Sequence, residues 1–276
     1  MKSINKYITE KLKISKTKGR STVKCTLFPS TFDELVNMIK DEMDKNGNEC
    51  SLNHIDTGKI ITMEGLFMYS NFNGDISQWN VSNVKDMGSM FRMSKFTGDI
   101  SKWDVSNVVN MKKMFRNSSF NSDISDWDVS KVITMEEMFA WCDFNGDLYD
   151  WDVSNVQTME YMFYDNKFFN QNISKWDVSN VTTMEGMFCN SNFNQDISNW
   201  DVSNVKDMAS MFRNSAFNKP IDKWDVSKCK NMTAMFSGSK FNQDISNWQI
   251  KQNCDMYDMF YNSDIEKQFI PKGATI

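Results

Sequence analysis

The chain is 276 residues long, 40% hydrophobic and 24% charged, with a net charge of −5. It contains no run of 18 apolar residues, which excludes a membrane-spanning helix, and its basic start lacks the apolar stretch of a secretory signal peptide. The only histidine is His54, so neither a histidine zinc site nor a histidine-based catalytic triad can be assembled.

Taken in order, residues 1–22 are a basic arm. Through residue 24 there are eight Lys/Arg against one Glu, which leaves the remainder acidic. Nucleic acid is therefore not expected as a partner except through the arm 1–24, because an acidic surface repels phosphates. Ile4, Tyr7, Ile8 and Leu12 predict a short amphipathic helix over 2–14, and 15–22 reads as a flexible link. Residues 23–54 read as a capping module. VKCTLF (23–28) is a candidate strand ended by Pro29, and Thr31 with Glu34 forms a capping box for a helix over 32–45. That helix carries Phe32, Leu35, Ile39 and Met43 on one face, with Gly47 as its stop.

Residues 55–262 are a repeat array, beginning with a degenerate copy at 55–67. Tryptophans fall at Trp79, Trp103, Trp127, Trp151, Trp176, Trp200, Trp224 and Trp248, and a methionine follows each by eight residues. The period is 24, with one interval of 25 between Trp151 and Trp176. Within 76–91, Trp79 and Val81 alternate as in a half-buried strand, and Val84, Met87, Met90 and Phe91 have the spacing of a short helix that Ser82 and Asn83 would cap. The fold class expected is α/β: a leucine-rich-repeat-like solenoid of about nine 24-residue strand-helix repeats with an N-terminal strand-helix cap. Of 22 methionines, 17 recur at two repeat positions beside phenylalanine, which points to core packing rather than copper ligation. The six cysteines form no CxxC and are expected as free thiols, Cys229 standing in for a core valine. The last copy departs from the rest at Gln249, Asn253 and Ile265, and the tail 263–276 has little to pack against after Phe269.

The unit W-D-V-S-N-V-x-x-M-x-x-M-F-x-x-x-x-F-N-x-D-I-S over 55–260 resembles that of the BspA-type leucine-rich-repeat surface proteins. The same unit defines the mycoplasma-type surface lipoprotein repeat of unknown function. The resemblance implies a surface or adhesion protein. NKYITEKLKISK and the FPSTFDELVNMIKDEM…SLNHID block are similar to leaders on proteins of crAss-like phages, which implies a phage-encoded or virion-associated member. With no export signal, the location expected is cytoplasm or virion, with the cell surface as the alternative. The function expected is that of a non-enzymatic protein-interaction or adhesion scaffold with an unidentified protein partner and no cofactor. The alternatives are an exported bacterial adhesin and a cation-binding or glycan-acting surface protein.

Two sets of residues stand out as candidate sites. Asp104, Asp128, Asp152, Asp177, Asp201 and Asp225 each follow a tryptophan and would form an outward ridge able to hold cations or a basic partner. Alternatively, each accepts bonds from serine or backbone amides at its own turn. No second carboxylate accompanies them at calcium-loop spacing, and a monotonous series offers no environment to separate a catalytic acid from a base, so no catalytic residue is expected. The second set lies where the repeats disagree, at 140–169. Trp141, Tyr149, Tyr161, Tyr164, Phe168 and Phe169 are expected to cluster as surface anchors of a binding patch.

Overall fold

The computed structural model describes residues 23–274, so the basic arm 1–22 and its expected amphipathic helix lie outside the described residues. The capping helix is present. This element, α1, spans Phe32–Asn46. The Thr31 hydroxyl accepts from the Glu34 amide at 3.2 Å, and the Glu34 carboxylate accepts from the Ser30 amide at 2.6 Å, so the reciprocal bond of the capping box falls one residue early. Gly47, at φ 82°, ends the helix and donates its N–H to the Met43 carbonyl. Leu35 and Ile39 join the common hydrophobic core, and His54 Nε2 lies 3.4 Å from the Glu42 carboxylate, linking α1 to the start of the array. The strand expected over 23–28 reduces to a single parallel bridge between Leu27 and Ile55.

The expected α/β fold class is incorrect for the repeats. Among the described residues α1 is the only α-helix, a 3₁₀ turn occupies Lys267–Phe269, and no strand ladder forms. Each repeat is instead a coil of tight turns. Trp79 N–H bonds the Ile76 carbonyl and Val84 N–H the Val81 carbonyl, followed by turns closing at Met90, Arg92 and Ser94. All of these are bonds to the third preceding residue. The intervening amides of Met87, Ser89, Phe91 and Met93 donate across to the next repeat, at Asn110, Lys112, Met114 and Arg116. A helix would have used bonds to the fourth preceding residue, leaving nothing to hold one repeat to the next. The 3-and-4 spacing of Val84, Met87, Met90 and Phe91 served equally well for either structure. The alternation at Trp79, Asn80 and Val81 does place side chains in, out and in, but without strand pairing.

Successive repeats stack in parallel register through one bridge each, from Thr62 through Asp86, Asn110 and onward to Asp255, nine repeats in all. The turn geometry puts two residues of every repeat in the left-handed region, and fifteen of these are not glycine. L-residues there cost roughly 1–2 kcal/mol apiece, so the stack must hold them. It does so through rows of identical side chains. Phe91 and Phe115 rings stack at 5.7 Å, Phe96 and Phe120 at 6.5 Å, and Trp79 and Trp103 at 6.4 Å, all within 7° of parallel. Such pairs add about 0.5–1.5 kcal/mol beyond burial.

The tryptophans contribute a polar bond as well. Trp79, Trp103, Trp200 and Trp248 donate their indole N–H to carbonyls of the preceding repeat, at Leu52, Ile76, Ile173 and Ile221, over 2.9–3.2 Å. The Ile173 carbonyl already accepts from the Trp176 amide, so the indole uses its second lone pair. Asn83, expected with Ser82 as a helix cap, has no helix to cap, and neither has its equivalent Asn107. Their side chains donate instead to Gly58 and Ser82 carbonyls one repeat earlier, at 2.7 and 2.9 Å.

The single 25-residue interval has a defined remedy. Where other repeats place Ser94 or Ser191, this one has Asn166, fully buried. Its side chain accepts from both Phe168 and Phe169 amides at 2.9 Å and donates to the Phe144 carbonyl at 3.1 Å. The extra residue, Phe168, is extruded to 55% exposure, and Phe169 drops into the phenylalanine row against Phe144 and Phe193. Phe169 is therefore core, correcting its expected place in a surface patch.

At the far end, Cys254 rather than Asn253 fills the buried position beside Cys229. All six cysteines are free thiols. The tail is less loose than expected. Ile245 N–H bonds the Phe269 carbonyl at 3.1 Å, and Phe269 and Ile270 pack on the core.

Two measurements test this account. Trp200→Phe keeps an aromatic ring but removes the pyrrole half of the indole together with its bond to Ile173, and it should cost about 2–4 kcal/mol in urea unfolding with an unchanged far-ultraviolet circular dichroism spectrum. Asn166→Ser should cost about 1–3 kcal/mol, because serine cannot reach the carbonyl of Phe144 and the amide of Phe169 together. Deleting Phe168 in the same chain, which restores the 24-residue period, should recover most of that loss.

Candidate binding site

The aspartates after the tryptophans are exposed, as expected for an outward row. Each closes its own turn. Asp104 and Asp128 accept from the serine two residues on, through the amide at 3.2 and 3.1 Å and the hydroxyl at 2.6 Å. Asp152, Asp177, Asp201 and Asp225 accept from Ser154, Ser179, Ser203 and Ser227 amides at 2.9–3.1 Å. A second row, including Asp123, Asp196 and Asp244, makes the same turn with Ser125, Ser198 and Ser246. These bonds favour the ionised form. The hydroxyl and amide of Ser227 hold Asp225 below the usual carboxylate range, and the serine amides and hydroxyls do the same for Asp123, Asp196 and Asp244. Among the described residues no group of three or more His, Cys, Asp and Glu is arranged to hold a metal ion.

The aromatic residues of 140–169 separate into three settings. Phe168 and Phe169 belong to the insertion described above. Tyr149 takes a serine position, its amide on Asp147 at 2.9 Å, with Lys175 over its ring at 5.3 Å. Neither Tyr149 nor Phe168 lines the pocket that forms next to the others. Trp141, Tyr161 and Tyr164 do come together. Trp141 and Tyr164 rings lie 4.6 Å apart at 60°, and Tyr161 and Tyr164 lie 5.6 Å apart at 72°. They wall a pocket of about 510 Å³ whose lining also includes Arg116, Glu137, Cys189, Asn190, Ser210, Arg213 and Asn214.

The stack itself makes this hollow. Tyr161 and Gly186 hold the same place in successive repeats, as do Tyr164, Cys189 and Arg213. Large side chains thus give way to small ones in the next repeat; at the second place a large one returns as Arg213, while the first stays small at Ser210. Gly186, at φ 57°, holds a left-handed position that seven other repeats fill with L-residues, so its glycine matters for space: a Cβ there would lie 2.3 Å from the Tyr161 ring. The Tyr161 phenol donates to the Glu185 carboxylate. Burial, and then that bond, push its pKa up, so it remains a donor. Burial likewise raises the Cys189 thiol to about 11, leaving it protonated and unreactive at neutral pH. On the other wall, Arg116 pairs with Glu137 and lies 4.5 Å under the Trp141 ring.

Trp141 shares its backbone with the other repeats. Its φ of 51° belongs to the left-handed position filled elsewhere by Tyr69, Met93, Asn117, Asp165, Asn190, Asn214, Gly238 and Asn262. Asparagine and glycine tolerate that region best, and the register of the stack imposes it on Tyr69, Met93 and Trp141 as well. Neither the pocket's second wall nor the need for Gly186 was evident from the 140–169 window. Arg213, Ser210 and Asn214 lie two repeats further along, and the available signal was the comparison of equivalent positions between repeats.

These features define a repeat protein of stacked turn coils. The chain belongs to the family described as Mycoplasma protein of unknown function, DUF285, whose model matches in four overlapping segments, 33–143, 92–192, 117–212 and 169–272. That family is related to the BspA-like surface repeat proteins, in keeping with the resemblance seen in the repeat unit, and the match does not bear on a phage origin. No curated protein and no solved structure matches the chain. No helix among the described residues is long and apolar enough to cross a membrane.

Acid should weaken the fold through the turn aspartates. Their folded pKa values lie below the unfolded value of about 3.9, so their contribution is complete above that value and is lost as pH falls through the folded ones. Urea midpoints should hold down to about pH 4.5 and decline below it. Replacing Asp123, Asp196, Asp225 and Asp244 together by asparagine, which closes the same turn at Asn80, should make that decline shallower. An unaltered decline would assign it to other groups.

Proposed function

We propose that this protein is a non-enzymatic interaction scaffold and that the pocket walled by Trp141, Tyr161 and Tyr164 is its working surface. The observation that carries the reading is the exposed aromatic hollow. Eight tryptophans are buried in the row at 3–4% exposure, whereas Trp141 lies outside it and is 40% exposed. It stands beside Tyr161 and Tyr164 in a hollow of the size that binds ligands. The regular stack behind it supplies the rigidity that a preformed site needs.

The kinship with surface repeat proteins favours adhesion as the setting, with the pocket facing a partner on another surface. Carriage on a phage particle would use the same pocket in a different place. The turn aspartates support a structural role better than a cation ridge, because each already has its serine partner.

Trp141→Asn is the decisive variant. Relief of backbone strain and loss of the Arg116 contact offset each other, so stability should change by no more than about 1 kcal/mol. Binding of the labelled protein to surfaces or particles of its native source should fall at least ten-fold with Trp141→Asn combined with Tyr164→Ser. Tyr149→Ser, outside the pocket, should leave it unchanged. Undiminished binding by the double variant would place the working surface elsewhere.

A further inference from the structure

The pocket holds a cation that its own structure leaves unsatisfied. Arg116 is neutralised by Glu137, and Lys113 lies 3.1 Å from the same carboxylate. Lys167 pairs with Asp165 at 2.7 Å. Arg213 is different. Its side chain is exposed at the pocket wall and makes no hydrogen bond or ion pair among the described residues. Two other arginines at equivalent positions, Arg92 and Arg116, lie over Tyr69 and Trp141 rings at 5.7 and 4.5 Å. The left-handed positions beside Arg213 are Asn190, Asn214 and Gly238, which offer no ring. A guanidinium is always charged and presents a planar fork of donors matched to a carboxylate.

The aromatic wall restricts what carries that carboxylate. The ring planes meet at 60° and 72°, forming a corner rather than a parallel slot. A flat base or aromatic side chain would stack on one face only. A saturated ring with apolar C–H faces and a polar rim can meet two faces of the corner together. The lining also includes Asn190 and Ser210, neutral groups that both donate and accept, as hydroxyl groups require. The volume of about 510 Å³ accommodates one or two sugar rings and is too small for a protein surface to enter.

We infer that the pocket recognises a carboxylate-bearing sugar, a hexuronic acid residue with its ring against Trp141, Tyr161 and Tyr164 and its carboxylate on Arg213. The inference rests on the pocket being the working surface, and it names what the partner displays there: an acidic glycan.

The test is ligand-observed NMR with methyl β-D-glucuronide, methyl β-D-glucoside and a short aspartate-rich peptide on the full chain. The glucuronide should bind at least ten-fold more tightly than the glucoside. Arg213→Met should abolish that preference while retaining weak binding of both sugars, and Trp141→Asn should weaken both. Absence of glucuronide binding, equal binding of the two sugars, or a preference that survives Arg213→Met would overturn the inference. So would tighter binding of the peptide at the same residues, which would make the partner an acidic protein segment. Loss of surface binding in the Trp141 and Tyr164 double variant without any uronate affinity would sink this inference and leave the proposed function standing. Retained surface binding in that variant would sink the function itself.

Discussion

Amides in each run of turns divide their bonds between two destinations. Those of Met90, Arg92 and Ser94 close turns inside the repeat, while those of Met87, Ser89, Phe91 and Met93 cross to the next one. Every other feature of the array depends on this division. It sets the register between repeats, and the register brings like side chains face to face. It also forces two residues per repeat into left-handed backbone, a cost that only a continuous stack can offset. The unit is unstable alone for the same reason that it is stable in series.

Side chains reinforce that division wherever a backbone group would otherwise be left over. Tryptophan is suited to its row because it combines a large apolar ring with an N–H that reaches the second lone pair of an isoleucine carbonyl. Leucine in that place would pack but would not bind the carbonyl. Asn83 and Asn107 satisfy carbonyls one repeat back, and the turn aspartates satisfy serine amides within their own repeat. Asn166 performs a similar service at the one irregular interval, and its longer side chain is what lets an extra residue be extruded without breaking the row of phenylalanines.

A structure so repetitive has few places for specificity. Where equivalent positions agree, the side chains are committed to the stack. The pocket arises where they disagree over four successive repeats, as Tyr161 gives way to Gly186 and Tyr164 gives way to Cys189 before Arg213 returns. Trp141, outside the buried tryptophan row, sits at its edge. An exposed indole, a size step and an unpaired guanidinium coincide there, and each has a separate physical origin.

Much of this was legible in the chain. The 24-residue period, the buried Trp, Met and Phe rows, α1 with its cap and stop, and the core role of Cys229 all follow from spacing and side-chain chemistry. Part of the site was legible too, since Trp141, Tyr161 and Tyr164 stand out from their repeats. The secondary structure was not. Apolar residues at spacings of three and four suit a helix and a run of tight turns alike, and in/out alternation at Trp79 and Val81 does not require a paired strand. The choice depends on where the amides send their bonds, and their partners lie 23 residues away in sequence. Tertiary structure likewise separated Phe169 from Phe168, because only the row of stacked rings distinguishes the buried member of an adjacent pair. It also put Trp141 and Arg213, three repeats apart, on the lining of one pocket, because stacking turns sequence period into spatial order.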